Sequence, residues 1–494
     1  MQGLESRIDG WFVSNSSFNC CNWVGIICDS DSGRVVKLEL QNKRLTGGLS
    51  DLVSNLDHLK TLNLSHNFLK GMIPVSVFSL YNLEVVDLSN NVFSGGFPVS
   101  INLPALQVLD LSVNGLLGSI PAGICVNSTR IRVLKLAASS LTGTIPFELR
   151  NCVFLEHICV ASNSLTGAIP EFLFHLPRLM VLELQDNMFT SIDGSGNSSS
   201  GITRLDVSSN RILGELPDFF HMFPRLTHFC AHSNRLSGGI PSSLSNSPAI
   251  SSINLRNNSF SGPIVFNCSL MTNLTLLDLG TNHFSGVIPD DLSSCHKLKA
   301  INLARNKFKE EGSPDFPFFK RPNTSTRGLP LQYRQLMSFP PLIDLKYNFL
   351  NGSIWPEFGN LKRLHVLNLK HNNLSGEIPS ELSGMMSIEI LDLSYNNLSG
   401  QIPPSLVNLN FLSEFSVAYN RLSGIVPYGR QFGTFSNSSF EGNRDLCGLT
   451  CEDSLVTRSR TRRSKKSNCP IEGMAVGIGF GTFFLLALMV LIKL

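Results

Sequence analysis

Leucine positions recur with one spacing along most of this chain. The segments LKTLNLSHNFLKGMIP (59–74), LEVVDLSNNVFSGGFP (83–98) and LTLLDLGTNHFSGVIP (274–289) share the pattern LxxLxLxxNxLxGxIP. The alternation in LxLxx predicts a short strand whose leucines point inward and whose intervening residues point outward. No single copy buries its own apolar face, so neighbouring copies must stack to form a common core. The pattern therefore predicts a solenoid of repeated coils.

One asparagine marks each copy, and its amide suits a turn because it can bond backbone groups left unpaired there. Successive copies are 23 to 25 residues apart, which is the leucine-rich-repeat period, and their LxGxIP half resembles the plant-specific type of this repeat. A first copy around Leu38 and Leu40 lacks the asparagine and another has Ser139 instead, so the count is 16 coils. The asparagines are Asn67, Asn91, Asn114, Asn163, Asn187, Asn210, Asn234, Asn258, Asn282, Asn306, Asn348, Asn372, Asn396 and Asn420.

The array is interrupted once, between Asn306 and Asn348, where 42 residues make one 24-residue period plus 18 more. The interrupting stretch is rich in aromatic residues, which favours packing on the concave face over a loose surface loop, and long loops often carry function. We predict an α/β-type leucine-rich-repeat solenoid with parallel strands on its concave face. It comprises repeats 1–12 (35–308), an island-like insertion (309–341) and repeats 13–16 (342–427).

Composition and charge exclude several classes of protein. The 494 residues carry 40 Lys and Arg against 37 Asp and Glu, and the net charge of +3 is too small to indicate a nucleic-acid partner. A hydrophobic fraction of 42% argues against a disordered chain and against a polytopic membrane protein. Twelve cysteines are too few for a disulfide scaffold in so long a chain, so an apolar core must carry the fold.

The cysteines indicate caps at both ends of the array. The motif CCNWVGIIC resembles the N-terminal cap (1–34) of plant leucine-rich-repeat receptors, and Cys28 is expected to pair with Cys20 or Cys21. Cys447 and Cys451 resemble a shortened C-terminal cap. We expect Cys152 and Cys295 to be buried free thiols, and Cys159 and Cys230 to face the concave surface. No Cys and His cluster has the spacing of a metal site.

Residues 473–492, GMAVGIGFGTFFLLALMVLI, contain no charge and are long enough to span a bilayer, so they are predicted to form a transmembrane helix. A basic segment precedes them within 428–472. Sequons and cap cysteines favour an extracellular solenoid and a plasma-membrane location. The sequons lie at Asn15, Asn63, Asn127, Asn197, Asn257, Asn267, Asn273, Asn323, Asn351, Asn373, Asn397 and Asn437.

The two ends of the chain bear on its location. It begins MQGLESRIDGW without an apolar signal segment, and it ends two residues after the predicted span. We interpret this as an incomplete chain or gene model. The alternative is a cytosolic solenoid with a tail anchor.

The insertion carries a specific resemblance. SPDFPFFKRPNTSTRGLPLQYRQLMSFPPLIDLKYNFLNGSI is similar to the island of phytosulfokine receptors, which are plant receptor kinases for a tyrosine-sulfated peptide hormone. INLRNNSFSG, LDLGTNHFSG, INLARN and FSVAYNRLSG extend the resemblance over almost the whole chain. It implies an extracellular solenoid, an island that binds peptide, a somatic-embryogenesis-type co-receptor kinase and a cytoplasmic kinase. Family members carry several further repeats between INLARN and SPDF.

Four ligand-contacting positions follow from this resemblance. Arg256 in INLRNN and Asn302 in INLARN match residues that bind a peptide sulfate, and Phe319 and Lys320 in PFFKR match island residues that contact the peptide. Arg and Lys suit a sulfate monoanion, and an aromatic side chain can cover a tyrosine ring. The alternatives are a solvated arginine for Arg256 and a basic loop without a ligand for Lys320.

The leading hypothesis is a peptide-hormone receptor ectodomain with one membrane span and no cofactor. The alternatives are a kinase-less receptor-like protein for another extracellular ligand, a decoy, or a non-functional truncated copy. No nucleophile–base pair, metal set or kinase signature such as HRD or DFG is present in the sequence, so we do not expect this chain to be an enzyme.

Overall fold

The leucine repeats form one long sheet of 17 strands in the computed structural model. The structure describes residues 19–97, 101–194, 199–309 and 341–447. The first strand runs antiparallel to the second, and every later pair is parallel. The strands are Ile26–Cys28, Val35–Glu39, Thr61–Asn63, Val85–Asp87, Val108–Asp110, Val133–Lys135, His157–Cys159, Val181–Glu183, Arg204–Asp206, His228–Cys230, Ser252–Asn254, Leu276–Asp278, Ala300–Asn302, Leu342–Asp344, Val366–Asn368, Ile390–Asp392 and Glu414–Ser416.

Each short strand buries its middle residue and leaves the flanking residues more accessible, as in Ser252–Asn254, where Ile253 is buried. The next leucine along, Leu255, is buried as well. Stacked copies of this pair form one continuous apolar core. The predicted inward leucines and outward intervening residues are confirmed, and the 16 strands from Val35 onward match the 16 repeats of the sequence.

The LxGxI half of each repeat adds a second strand to most coils. These strands are Thr46–Gly47, Phe68–Gly71, Val92–Gly96, Gly115–Gly118, Ser140–Gly143, Ser164–Ile169, Met188–Ile192, Leu213–Glu215, Arg235–Gly238, Ser259–Gly262, His283–Gly286, Lys307–Phe308, Asn351–Ser353, Asn373–Glu377, Asn397–Ser399, Ser423–Ile425 and Asp445–Cys447. They form parallel sheets of seven, five, three and two strands.

Short helical turns close most coils. Among the described residues two are α-helical, Ile124–Asn127 and Ser242–Ser245. The others are 3-10 turns at Cys20–Asn22, Asp51–Asn55, Val75–Ser79, Phe147–Asn151, Glu171–His175, Phe220–Met222, Asp290–Ser294, Pro356–Asn360, Ser380–Gly384, Pro404–Asn408, Arg430–Thr434 and Asn437–Ser439.

The repeat asparagines form a buried ladder of hydrogen bonds between coils. The Oδ1 of Asn282 accepts from the backbone N–H of Phe260 at 3.1 Å, and its Nδ2 donates to the carbonyls of Leu255 and Leu279, each at 3.0 Å. One amide therefore satisfies backbone groups of its own coil and of the preceding one. Asn443 continues the ladder past the last predicted asparagine, since its Oδ1 accepts from the N–H of Leu422 at 3.0 Å.

The insertion does not interrupt the long sheet. Ala300–Asn302 pairs in parallel with Leu342–Asp344, although 39 residues lie between the two strands. The ladder also crosses this point, because Asn348 Oδ1 accepts from Phe308 N–H at 3.2 Å. The described residues on both sides therefore form one continuous solenoid. Residues 310–340 lie outside the described residues.

Two disulfides correct the prediction that Cys152 and Cys295 are free thiols. Cys152 is bonded to Cys125 and Cys295 to Cys268, each across 27 residues, with α-carbons 5.3 and 4.7 Å apart. All four cysteines are buried. The prediction considered positions within one repeat only. A separation of 27 residues is one 24-residue period plus three, so each bond joins one coil to the next. For the first bond, the turn Ile124–Asn127 contacts the turn Phe147–Asn151 that ends beside Cys152.

The N-terminal cap covers the first coil with an antiparallel strand. Cys21 pairs with Cys28, and Cys20 is a free thiol, which decides between the two predicted pairings. Trp23 packs against the core beneath this strand. At the other end Cys447 is disulfide-bonded, whereas Cys451 lies outside the described residues.

The described residues all belong to the first of two compact units, Met1–Leu449. No helix among them is long and apolar enough to cross a membrane. The second unit, Thr450–Leu494, contains the predicted basic segment and the predicted span 473–492, and it lies outside the described residues.

Candidate functional site

Polar side chains line the outward face of the long sheet in a row formed by the last residue of each strand. In many coils this residue is Asp or Asn, because its side chain accepts a hydrogen bond from the backbone N–H two residues later and so shapes the turn. Asn254 bonds Arg256 N–H at 3.2 Å, and Asp278 bonds Gly280 N–H at 3.0 Å. Asn302 does the same for Ala304 at 3.0 Å.

Arg256 and Asn302 lie on this face, two strands apart. Arg256 directly follows buried Leu255 and is exposed, whereas Asn302 ends its strand and is half-buried. Strands in a sheet are about 4.8 Å apart, so their coils are separated by about 10 Å. The structure therefore brings these two predicted residues onto one surface. Phe319 and Lys320 lie outside the described residues.

Asp278 lies on the strand between them and was missed by the sequence reasoning. Burial raises the pKa of its carboxyl above the usual value, and the N–H of Gly280, the positive charge of Arg256 and the amide of Asn302 oppose this shift. Asp278 thus faces both predicted sulfate-binding residues. Its position could have been found from LDLG in the sequence, one coil after INLRNN.

Gly280 leaves the space that Asn302 uses. A Cβ at Gly280 would lie 2.8 Å from Asn302 Nδ2 and 2.9 Å from its Oδ1. Gly280 stands one coil after Arg256 at the same repeat position and contributes no side chain to this part of the sheet. Arg256, Asp278 and Asn302 consequently form one cluster, which we call the anion cluster.

A second cluster, which we call the HCE cluster, consists of His157, Cys159 and Glu183. His157 and Cys159 flank buried Ile158 on one strand, and Glu183 is the register partner of Cys159 on the next. His157 Nε2 is 3.2 Å from Glu183 Oε2, and one donor atom from each residue lies within 4.8 Å of the others. The expectation that no Cys and His cluster has metal-site spacing rested on spacing along the chain, whereas these three residues come together only through the register between coils. The sequence signal for this cluster was the motif HIC in a predicted strand, with an acidic residue at the matching position one coil later.

The electrostatics of the HCE cluster differ between its members. Burial raises the pKa of the Cys159 thiol to about 12, and burial likewise raises that of the Cys230 thiol to about 12. Hydrogen bonding from His157 lowers the pKa of the Glu183 carboxyl, so this carboxylate stays ionised. Cys159 and Cys230 face outward as predicted and are half-buried free thiols.

Aromatic rings form a third feature, at the position before the repeat asparagine. Tyr347, His371, Tyr395 and Tyr419 stack with centroids 4.1 to 4.6 Å apart, and the Arg305 guanidinium lies over the outer face of Tyr347. Each backbone is left-handed, with φ between 52° and 58°. The rings cover one another's faces, so they support this strained position and present mainly their edges to solvent.

The sequons differ in accessibility. Asn63 is half-buried at the end of the strand Thr61–Asn63, which limits access to the Nδ2 that would carry a glycan. Its Oδ1 accepts from the N–H and the hydroxyl of Ser65 at 3.1 and 2.7 Å, and these bonds fix the side chain in this position. Asn267 and Asn397 are also half-buried, and Asn15, Asn197 and Asn323 lie outside the described residues. The exposed sequon asparagines are Asn127, Asn257, Asn273, Asn351, Asn373 and Asn437.

Comparison with known proteins identifies the repeats. The leucine rich repeat family model matches residues 58–80, 82–103, 105–127, 201–223, 273–295, 363–385 and 387–409. The stacked coils and the asparagine ladder agree with this match. The chain contains leucine-rich repeats at the matched residues.

Its relatives are plant receptors. The chain is homologous to phytosulfokine receptor 1 from Arabidopsis thaliana, with 42% identity over 180 residues that cover 36% of this chain and 18% of that receptor. It is 33% identical over 216 residues to receptor-like protein 9DC1 from Solanum pimpinellifolium, which covers 42% of this chain and 25% of that protein. The matched part thus spans a quarter or less of either relative.

Solved receptor ectodomains share the fold. The crystal structure of a TDR receptor gives a TM-score of 0.59 and 28% identity, over 82% of this chain and 74% of that one. The ectodomain of the Arabidopsis thaliana receptor kinase GASSHO1/SCHENGEN3, in complex with CASPARIAN STRIP INTEGRITY FACTOR 2, gives 0.54 and 28% over 82% of this chain and 55% of that one. The fold is that of plant leucine-rich-repeat receptor ectodomains.

Proposed function

We propose that this chain is the ligand-binding ectodomain of a plant cell-surface receptor and that it binds a tyrosine-sulfated peptide of the phytosulfokine type. The observation that carries the proposal is the anion cluster, in which an exposed arginine and a half-buried amide lie two strands apart on the outward face of the sheet. Homology to phytosulfokine receptor 1 supports the same ligand class. By resemblance, a somatic-embryogenesis-type kinase serves as co-receptor.

The described residues on either side of the island support its proposed role. Lys309 bridges to Phe349, and residue 341 directly precedes the strand that pairs with Ala300–Asn302. The insertion therefore starts and ends beside the coil of Asn302. Phe319 and Lys320 are proposed to contact the peptide from there.

The protonation of Asp278 affects how strongly the proposed site attracts a sulfate. An ionised carboxylate between Arg256 and Asn302 repels a sulfate, whereas a neutral carboxyl does not. Because burial raises the pKa of Asp278, its carboxyl becomes neutral at a higher pH than a solvated aspartate. The sulfate and Arg256 keep their charges as the pH falls through this range, so acidification strengthens the attraction.

The test is the affinity of the full chain, produced as a secreted protein, for a tyrosine-sulfated peptide and its unsulfated counterpart. Arg256→Ala is expected to weaken sulfated-peptide binding about 10- to 150-fold, because a hydrogen bond to a charged group contributes about 1.5–3 kcal/mol. Arg235→Ala serves as the matched control. It removes an exposed arginine from Arg235–Gly238, a strand that lies outside the long sheet and in another coil.

The pH dependence adds an internal control. Affinity for the sulfated peptide is expected to rise as pH falls, and Asp278→Asn is expected to bind at least as tightly while losing this dependence. Asparagine fits at this position because Asn254 and Asn302 make the same turn. Equal binding of both peptides, or an Arg256→Ala variant as tight as Arg235→Ala, would contradict the proposal.

We further propose that the repeats are extracellular and anchored in the plasma membrane by residues 473–492. Endoglycosidase treatment of the protein made in plant cells is then expected to increase its gel mobility, with glycans on the exposed sequons and none on Asn63. Site mapping by mass spectrometry checks this pattern. An unchanged mobility would favour a cytosolic solenoid instead.

A kinase-less receptor-like protein is the second candidate. It is supported by the similarity to receptor-like protein 9DC1. A full-length transcript distinguishes the two, because a kinase reading frame downstream of residue 494 would identify a receptor kinase.

A further inference from the structure

We propose that the HCE cluster is a metal site that binds one zinc-class divalent cation on the outward face of the long sheet. The site is separate from the anion cluster and does not depend on the proposed peptide ligand. His157 and Cys159 come from one strand and Glu183 from the next, three coils or more before Arg256.

The donor atoms are the set that zinc prefers. Zinc takes imidazole nitrogen, thiolate sulfur and carboxylate oxygen at about 2.0–2.3 Å, which places neighbouring donors of a tetrahedron about 3.5 Å apart. His157 Nε2 and Glu183 Oε2 are 3.2 Å apart, and the Cys159 sulfur is within 4.8 Å of both. A small side-chain movement of about 1 Å completes three corners. The outward side remains for water, as in open zinc sites.

The surroundings hold the carboxylate in place. Arg204 Nε lies 3.2 Å from Glu183 Oε1 as an ion pair without a hydrogen bond, and Glu183 Oε2 faces His157. On the preceding strand, Lys135 is the register partner of Cys159, and its Nζ is 3.9 Å from Asp110 Oδ2. A thiolate and a carboxylate neutralise a divalent cation, so these neighbouring cations do not face a net positive site. Side-chain exposures of 26% for His157 and 20% for Glu183 leave a path for entry.

Binding releases one proton and requires no redox partner. The Cys159 sulfur loses its proton to solvent as the metal–sulfur bond forms. His157 coordinates through Nε2, and its single proton then resides on Nδ1. Glu183 exchanges its hydrogen bond from His157 for a bond to the metal.

The chain carries its own control in a second His-x-Cys strand, His228–Cys230. His228 Nδ1 lies 2.8 Å from the Thr227 hydroxyl, and the next strand offers Asn254 opposite Cys230 where the HCE cluster has Glu183. On the preceding strand, Asp206 is the register partner of Cys230. Its carboxylate already accepts hydrogen bonds from the N–H and the hydroxyl of Ser208 at 3.1 and 2.6 Å. This strand therefore has the same first two residue types without the third ligand.

The experiment uses the tag-free full chain titrated with ZnCl2 by calorimetry and with CoCl2 by absorption. One zinc per chain and a cobalt–thiolate charge-transfer band are expected. Cys159→Ser should remove the band, and Glu183→Gln should weaken zinc binding by about 10- to 100-fold or more. Cys230→Ser should change neither. Circular dichroism verifies folding, and His157→Gln replaces Cys159→Ser if that variant does not fold.

The proposal fails if the chain binds no zinc, if cobalt binds without the thiolate band, or if Cys230→Ser reduces binding as much as Cys159→Ser does. Loss of sulfated-peptide binding in Arg256→Ala, with zinc binding unchanged, would show that the two sites are independent. A zinc-bound chain should also unfold at a higher temperature, and Glu183→Gln should lose this shift.

Discussion

Replacing Asn282 by alanine is expected to lower the free energy of unfolding by about 2–4 kcal/mol. Asn282 is 5% exposed, and its amide bonds Phe260 N–H together with the carbonyls of Leu255 and Leu279. Alanine leaves the buried Phe260 N–H without this partner, whereas Leu255 O keeps a bond from Asn258 and Leu279 O keeps one from Asn306. An unsatisfied buried group costs about 1–3 kcal/mol, and each lost hydrogen bond costs about 0.5–1.5 kcal/mol. Denaturant unfolding measures the loss, and hydrogen exchange should show faster opening at the Phe260 amide.

Ser139 provides the matched control for this substitution. It occupies the asparagine position of its own coil and makes one weak bond, from its hydroxyl to Asn114 O at 3.4 Å. Ser139→Ala is therefore expected to cost less than about 1 kcal/mol. Equal losses for Asn282→Ala and Ser139→Ala would show that the ladder does not stabilise the stacked coils.

Removing the Cys125–Cys152 disulfide is expected to lower the free energy of unfolding by about 3–4 kcal/mol. The bond closes a 27-residue loop that joins two adjacent coils, and chain entropy assigns this amount to a loop of that length. The double substitution Cys125→Ala with Cys152→Ala tests it by thermal unfolding. Cys230→Ala, at a free cysteine, is the control for loss of a thiol alone.

Chemical labelling gives a direct check of the pairing. Alkylation of the denatured, non-reduced chain should modify Cys20, Cys159 and Cys230 and leave Cys125, Cys152, Cys268 and Cys295 unmodified. Alkylation of Cys152 without reductant would restore the interpretation of a buried free thiol and remove the basis for the stability prediction.

Periodicity was sufficient to predict the coils, because each strand depends on a short local pattern that repeats. Leu255 and Asn282 could be assigned to the core and the ladder from spacing alone. The place of Asn443 in the ladder was not predicted, because the last coil has Phe435 and Phe440 where other coils have leucines. These phenylalanines pack against the core without the LxxLxL spacing.

The candidate site was predictable only in part. Arg256 and Asn302 could be placed on the outward face, but their relation to Asp278 depends on the register between coils and on the missing side chain of Gly280. The same is true of Glu183, which belongs to a different repeat from His157 and Cys159. Disulfides across 27 residues likewise depend on how one coil lies on the next.

Because Ala300–Asn302 pairs directly with Leu342–Asp344, the number of coils sets the distance along the sheet between Arg256 and the point of insertion. Because each coil requires only its two neighbours, whole coils can be gained or lost between Arg256 and the insertion without disturbing the rest of the stack. Each such event moves the insertion by one strand spacing, about 4.8 Å, relative to Arg256. The length of peptide that could reach from Arg256 to the insertion would therefore change in fixed steps, and single-coil insertions after Asn302 would be selective for ligands longer by roughly one to two residues.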